Sequence, residues 1–339
     1  MRGWSRLFVF AAFVFPLWVT SERPSFAQFA PTGEGVNTGQ TVTAVMQTER
    51  VAPTDEQLRL QKQWEAQKRP PGPSIPTGAE SRRESPEMPA SPAPRAVPNA
   101  APEAPGDFTV FRTKQQAPFA GGSKSEVNEP SLGVSGSVVF VTSNWDAGVS
   151  TDGGQNFSFV NPYNTFPSLD GGFCCDQTAI YAASHDLFAW SLQYVKSGSL
   201  STSTGGWRTA FASSANAAAG NWCYYTWHPD NFGLSATGLW MDYPDVAISN
   251  GFVYYQVNIF TTTTNTWQRT VIWRIPLSQV QTCSTINYSY FVVSDRFTFS
   301  LVQGATDTMY FASHNSTSSI RIYNWPDSDR KSTRLNSSH

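Results

Sequence analysis

Between residues 129 and 315 one pattern returns four times: a short polar step, then a turn, then a run of β-branched and aromatic residues. Glu129-Pro130-Ser131-Leu132-Gly133-Val134 leads into VVFVTSNW, and Asp176-Gln177-Thr178-Ala179-Ile180-Tyr181 leads into LFAWSLQYV. Tyr243-Pro244-Asp245-Val246-Ala247-Ile248 leads into FVYYQVNIF, and Phe299-Ser300-Leu301-Val302 into TMYFASHN. Units starting near residues 129, 176, 243 and 299 recur at about 45 to 65 residues, the period of a repeat architecture. Each unit has room for about four short strands but cannot bury both faces of a sheet alone. Only stacking unit on unit closes a core.

Composition agrees. Residues 108–328 hold nine of the twelve tryptophans and are rich in Ser, Thr, Asn and Gly, with helical periodicity nearly absent. The expected class is therefore all-β. An incomplete β-propeller, with about four blades visible, is the expected architecture and a β-sandwich the alternative. Charge excludes other classes. The 339-residue chain has a net charge of −2, and residues 108–328 carry nine basic against thirteen acidic side chains. No basic surface for nucleic acid is expected. The long apolar run is confined to the N-terminus, which excludes a polytopic membrane protein.

A sharper signal lies in Ser150-Thr151-Asp152-Gly153-Gly154-Gln155-Asn156-Phe157. An aspartate here can hold an Asx-type turn by accepting nearby backbone N–H groups, and the glycines supply backbone freedom. The stretch resembles the Asp-box, S-x-D-x-G-x-x-aromatic, of sialidase-like (BNR-repeat) propellers. In that family Ser150, Asp152, Gly154 and Phe157 would be structural rather than catalytic. The resemblance implies a ring of about six or seven blades. It also implies an N-terminal strand that completes the last blade, for which Phe108 to Thr113 (FTVFRT) is the candidate. Ser203-Thr204-Gly205-Gly206-Trp207 looks like a degenerate second copy. The family's hydrolases need an arginine cluster, a tyrosine nucleophile with a glutamate partner, and an acidic proton donor. Here the body's glutamates are Glu126 and Glu129; Arg112 in FTVFRT is loosely similar to the family's arginine-bearing first-strand motif but lacks the Ile-Pro that should follow, and Arg208, Arg269, Arg274, Arg296 and Arg321 sit in no such motif. No catalytic residue is assigned.

The flanks differ in character. Arg2 and Arg6, the apolar run Leu7 to Val19 and the small-x-small step Ser25-Phe26-Ala27 predict a secretory signal peptide over residues 1–27. The chain is thus expected to be secreted, periplasmic or at the cell surface, with no membrane span after cleavage. Residues 28–107 read as a disordered Pro/Ala-rich linker, with eleven prolines between Pro70 and Pro105. Within it, residues 55–69 read as a transient helix between Thr54 as N-cap and Pro70 as stop. The last eleven residues, Asp329 to His339 (DRKSTRLNSSH), match the translation of a common sequencing adapter. They are expected to be an artefact, with the natural C-terminus lying beyond.

Four cysteines, Cys174, Cys175, Cys223 and Cys283, suit disulfides in an exported chain. Adjacent cysteines seldom bond each other and the units are consecutive, so one of Cys174 or Cys175 is expected to pair with Cys223. The CxxC spacing of a metal site is absent and His185, His228 and His314 are scattered, so no metal is assigned. Glu129, Asp176 and Asp245 begin equivalent strands and should converge at one mouth of an axial channel, with Asp242 nearby. Such oxygens would bind a polar ligand or Ca²⁺; the alternative is that each carboxylate caps its own turn. Gly220 to Leu239, with Trp222, Tyr224, Tyr225 and Trp227, is expected to be a surface binding loop. These features together predict an exported, non-catalytic module that binds a glycan or protein ligand. A truncated sialidase-like glycoside hydrolase and a structural cell-surface protein are the alternatives.

Overall fold

A computed structural model describes residues 32–47, 54–55, 59, 129–316 and 319–328. The expected signal peptide, the adapter-like tail, Phe108 to Thr113 and most of the expected linker lie outside the described residues. Asp55 and Arg59, inside the helix expected over 55–69, are helical.

The body is all-β and forms four sheets, one for each recurring unit. The first comprises β4 (Ser131–Ser135), β5 (Val138–Thr142), β6 (Ala147–Ser150) and β7 (Ser158–Val160) as an antiparallel meander. The second comprises β8 (Phe173–Ala182), β9 (Leu187–Tyr194), β11 (Trp207–Ala212) and β12 (Asn221–Trp227). The third comprises β13 (Leu239–Ile248), β14 (Phe252–Thr261), β15 (Trp267–Pro276) and β16 (Thr285–Val293). The fourth has β17 (Ser300–Leu301), β18 (Thr308–Ser316) and β19 (Ser319–Pro326). The first strands pack against one another in chain order, β4 on β8, β8 on β13 and β13 on β17.

Three apolar layers fill the gaps between consecutive sheets. Phe140, Trp190 and Trp222 meet between the first and second, Trp227, Tyr255 and Trp273 between the second and third, and Tyr254, Phe291 and Trp325 between the third and fourth. The second sheet is therefore buried on both faces, and β9 is buried at every residue, Ser191 and Gln193 included. Gly133 brings β4 onto β8: a Cβ there would lie 3.0 Å from the backbone nitrogen of Tyr181.

Two expectations need correction here. Residues 33–47 do not belong to a disordered linker. They run as β1 (Gly33–Thr38), β2 (Gln40–Thr43) and β3 (Met46–Gln47), which add an outer strand to the third, second and first sheets in turn. This strap pairs through backbone N–H and C=O groups along sheet edges, so its sequence needs few apolar residues to hold it. Thr204–Gly205, read as a degenerate Asp-box, forms β10, which pairs in parallel with Leu239 and Trp240 of β13. It is a crossing between two sheets, not a hairpin tip.

Candidate functional site

The four first strands meet at one cavity of about 690 Å³. Its walls are the same three motif steps taken from each repeat. The first step contributes Glu129, Asp176, Tyr243 and Thr298; the second contributes Pro130, Gln177, Pro244 and Phe299; the third contributes Ser131, Thr178, Asp245 and Ser300. Gln256 completes the lining and lies 2.9 Å from Thr298 Oγ1. Among the described residues no basic one lines it.

This register is carried by hydrogen bonds between strands. Ser131 Oγ donates to Ala179 O (2.8 Å) and accepts from Ala179 N (2.9 Å), which ties β4 to β8. Asp245 does the same work two interfaces later, its Oδ2 accepting from Leu301 N (2.8 Å) and its Oδ1 from Val246 N (2.8 Å). Asp245 is thus the counterpart of Ser131 rather than of Glu129 and Asp176. Both of its oxygens hold backbone, and burial raises its pKa against those two donors, which lower it. The residue standing where Glu129 and Asp176 stand is Tyr243.

Two bulges aim the first-step side chains. In β8, Phe173 pairs with Tyr194 and Gln177 with Leu192, so Cys174, Cys175 and Asp176 together oppose Gln193 alone. In β13, Asp242 pairs with Asn258 and Asp245 with Gln256, so Tyr243 and Pro244 oppose Val257 alone. Tyr243 has a left-handed backbone (φ 54°), is 44% exposed, and packs edge-on against Phe297 with ring centroids 5.8 Å apart. Bulges of this kind re-aim side chains and end regular pairing. Asp242 stays outside the cavity. It is fully buried, and its Oδ1 accepts from Gln193 Nε2 (2.7 Å) and from Tyr243 N (2.9 Å).

Trp222, Tyr224, Tyr225 and Trp227 are not on a surface loop. They lie on strand β12 and none is more than 3% exposed. Strand alternation sends Trp222 and Tyr224 toward the first sheet, and Tyr225 and Trp227 toward the third. Trp227 Nε1 donates to Thr209 Oγ1 (2.9 Å), so even its polar edge is satisfied internally. An aromatic run without alternation marks a strand buried on both faces.

The cysteine pairing also differs from expectation. Cys174 bonds Cys175, and Cys223 bonds Cys283. Cys223 shares the face of Tyr225 and Trp227, turned toward the third sheet where Cys283 lies, whereas Cys174 and Cys175 sit against Trp145 and Val195. The 223–283 bond staples the second sheet to the third.

The Asp-box-like stretch forms the β6–β7 turn. Ser150 Oγ donates to Asp152 Oδ1 (2.7 Å) and accepts from Gly154 N (2.9 Å); Asp152 Oδ1 accepts from Gln155 N and Asn156 N, both at 2.9 Å. Gly154 has φ 84°, open to glycine at little cost. Those donors, the Asn156 N–H first, hold the Asp152 carboxyl well below the usual carboxylate range. Asp152 does not line this cavity.

Arg208 and Arg274 pack over aromatic rings inside the fold. Arg208 lies over Tyr194 (4.6 Å) and Tyr224 (5.2 Å), while Arg274 lies over Phe252 (4.3 Å) and Trp325 (4.4 Å). They occupy different sheet interfaces. Among the described residues no group of three or more His, Cys, Asp or Glu side chains is arranged to hold a metal ion, so the carboxylates expected to suit Ca²⁺ share a cavity without forming a ligand cluster. No described helix is long and apolar enough to cross a membrane. Tyr243 is the residue the sequence reading missed. The Tyr243-Pro244 dipeptide, in step with Glu129-Pro130, carried the signal.

No protein-family model and no curated protein matches the chain. Among solved structures it is similar to a crystal structure of a glycosyl hydrolase from Bacteroides ovatus, with a TM-score of 0.30 and 11% sequence identity over 62% of this chain and 70% of that one.

Proposed function

We propose that this chain is an exported, non-catalytic β-propeller-like module that binds a neutral or amino-bearing saccharide at the axial cavity. The observation that carries this reading is the meeting of Glu129, Asp176 and the exposed ring of Tyr243 at equivalent steps around one open cavity. An aromatic face can stack on the apolar face of a sugar while carboxylates accept its hydroxyl or ammonium hydrogens. Acidic walls without a basic residue disfavour carboxylated sugars, whose recognition calls for arginine. Residues for covalent chemistry are not part of this reading. The stacked repeats act as a frame that fixes the spacing of the first-step side chains.

Calorimetric titration of the purified chain with neutral, amino-bearing and carboxylated oligosaccharides tests the reading. Neutral or amino-bearing sugars should bind and carboxylated ones should not. Tyr243→Ala and Asp176→Asn should each weaken binding about tenfold, or about 1.4 kcal/mol. Absence of binding across the panel, or binding indifferent to both substitutions, overturns it. Release of a reducing sugar during the titration would make the chain a hydrolase instead.

A further inference from the structure

The two bulges beside the axial cavity are joined through the protein interior. Cys174 and Cys175, bonded to each other, make up two of the three residues of the β8 bulge, and Asp176 is the third. Gln193, the one residue opposite that bulge, has its Oε1 3.2 Å from Cys175 Sγ. A disulfide sulfur has no proton to give, so this is a packing contact rather than a hydrogen bond. The other end of the same amide donates to Met241 O (3.1 Å) and to Asp242 Oδ1 (2.7 Å). Asp242 Oδ1 in turn accepts from Tyr243 N (2.9 Å), inside the β13 bulge. Gln193 is 1% exposed and Asp242 fully buried, so water does not compete for these bonds.

We propose that the Cys174–Cys175 disulfide is a positioning element for both first-step side chains, directly for Asp176 and through Gln193 and Asp242 for Tyr243. The two bulges reach similar ends by different means. The β13 bulge is set by Pro244 and the left-handed Tyr243, which fix backbone angles locally. The β8 bulge has neither device between Phe173 and Gln177, and a covalent bond between neighbours stands in their place. Opening it frees Cys174 and Cys175 to re-enter the ladder. It also removes the wall against which the Gln193 amide is seated. Saccharide binding would then require an oxidised Cys174–Cys175 pair, a dependence that rests on the function proposed above.

Hydrogen exchange on the intact chain tests the coupling without any ligand. The Cys174→Ala/Cys175→Ala double variant is compared with the wild type and with Gln193→Leu. Exchange should quicken about tenfold at Gln177 and also at Tyr243, which the disulfide does not touch, while the third-sheet strands β14 and β15 keep their protection. Gln193→Leu should quicken Tyr243 and spare Cys174 and Cys175. Faster exchange confined to residues 173–177 in the double variant overturns the proposal, as does an unchanged Tyr243 in Gln193→Leu. If the double variant unfolds, partial reduction of the wild type, with alkylation mapped by mass spectrometry to Cys174 and Cys175, reads the same two segments. The saccharide titration of wild-type protein stands apart: its failure removes the ligand, and the exchange result still decides the coupling.

Discussion

The second and third sheets differ from the fourth in a way that shows what stacking does for a β-sheet. The second and third are packed on both faces, carry an extra strand from the 33–47 strap, and are stapled by Cys223–Cys283. The fourth has three strands among the described residues and one packed face. Its other face shows Tyr310 at 48%, Ile320 at 60% and Ile322 at 46% exposure. The same repeat grammar thus yields a strand buried at every residue in the middle of the stack and one of alternating burial at its end. Burial pattern reports position in the stack as much as strand identity.

The largest expected effect tests the middle of the stack. Trp227→Ala removes a fully buried ring that packs on Phe232, Trp273 and Tyr288, and should cost about 3–5 kcal/mol in denaturant unfolding. Tyr310→Ala at the far face should cost much less. Equal costs would break the contrast between the sheets.

Next is the staple. Cys223→Ala with Cys283→Ala opens a link spanning 60 residues and should lower stability by about 2–4 kcal/mol. A loss below about 0.5 kcal/mol would mean that packing alone holds the second sheet to the third.

At the fourth sheet, Ile320→Lys with Ile322→Lys should change stability by no more than about 0.5 kcal/mol, since both side chains are exposed. Its effect should instead appear in light scattering as reduced self-association, because an open apolar edge strand is a pairing template and charge blunts it. Unaltered association would show that this face is not the sticky one.

The smallest effect belongs to the Asp152 turn on the first sheet. Asp152→Ala should quicken exchange at Gln155 and Asn156 with little change in the unfolding midpoint. The pH dependence has a definite sign. The folded carboxyl titrates below its unfolded value, so its stabilising bonds are complete above the ordinary carboxylate range and fade as pH falls through the lowered value. Variant and wild type should converge only in strong acid.

Much of this was legible in the chain itself. The starts of the four repeats match the starts of the four sheets, because a period-two apolar pattern between turn residues has few other uses. The Asp152 turn was readable because all its donors lie within a few residues of its acceptor. The strap was not readable: Gly33–Thr38 binds through main-chain groups common to every residue. The β12 aromatics resemble a loop in sequence because a strand buried on both faces loses the alternation that marks strands. Cysteine pairing failed for a related reason, since the face to which Cys223 turns depends on register, and register is a property of the folded sheet.

For the cavity, the sequence alone determined that a short polar step recurs at the head of the repeats, and it points to Glu129, Asp176 and Asp245 as equivalents. Only the tertiary structure decided that these side chains share one space, and that Asp245 spends both oxygens on backbone donors while Tyr243 takes the open position. The physical reason is that bulges shift a strand by whole residues without changing its composition. Where a side chain points is therefore settled by the pairing partner, which the local sequence does not contain.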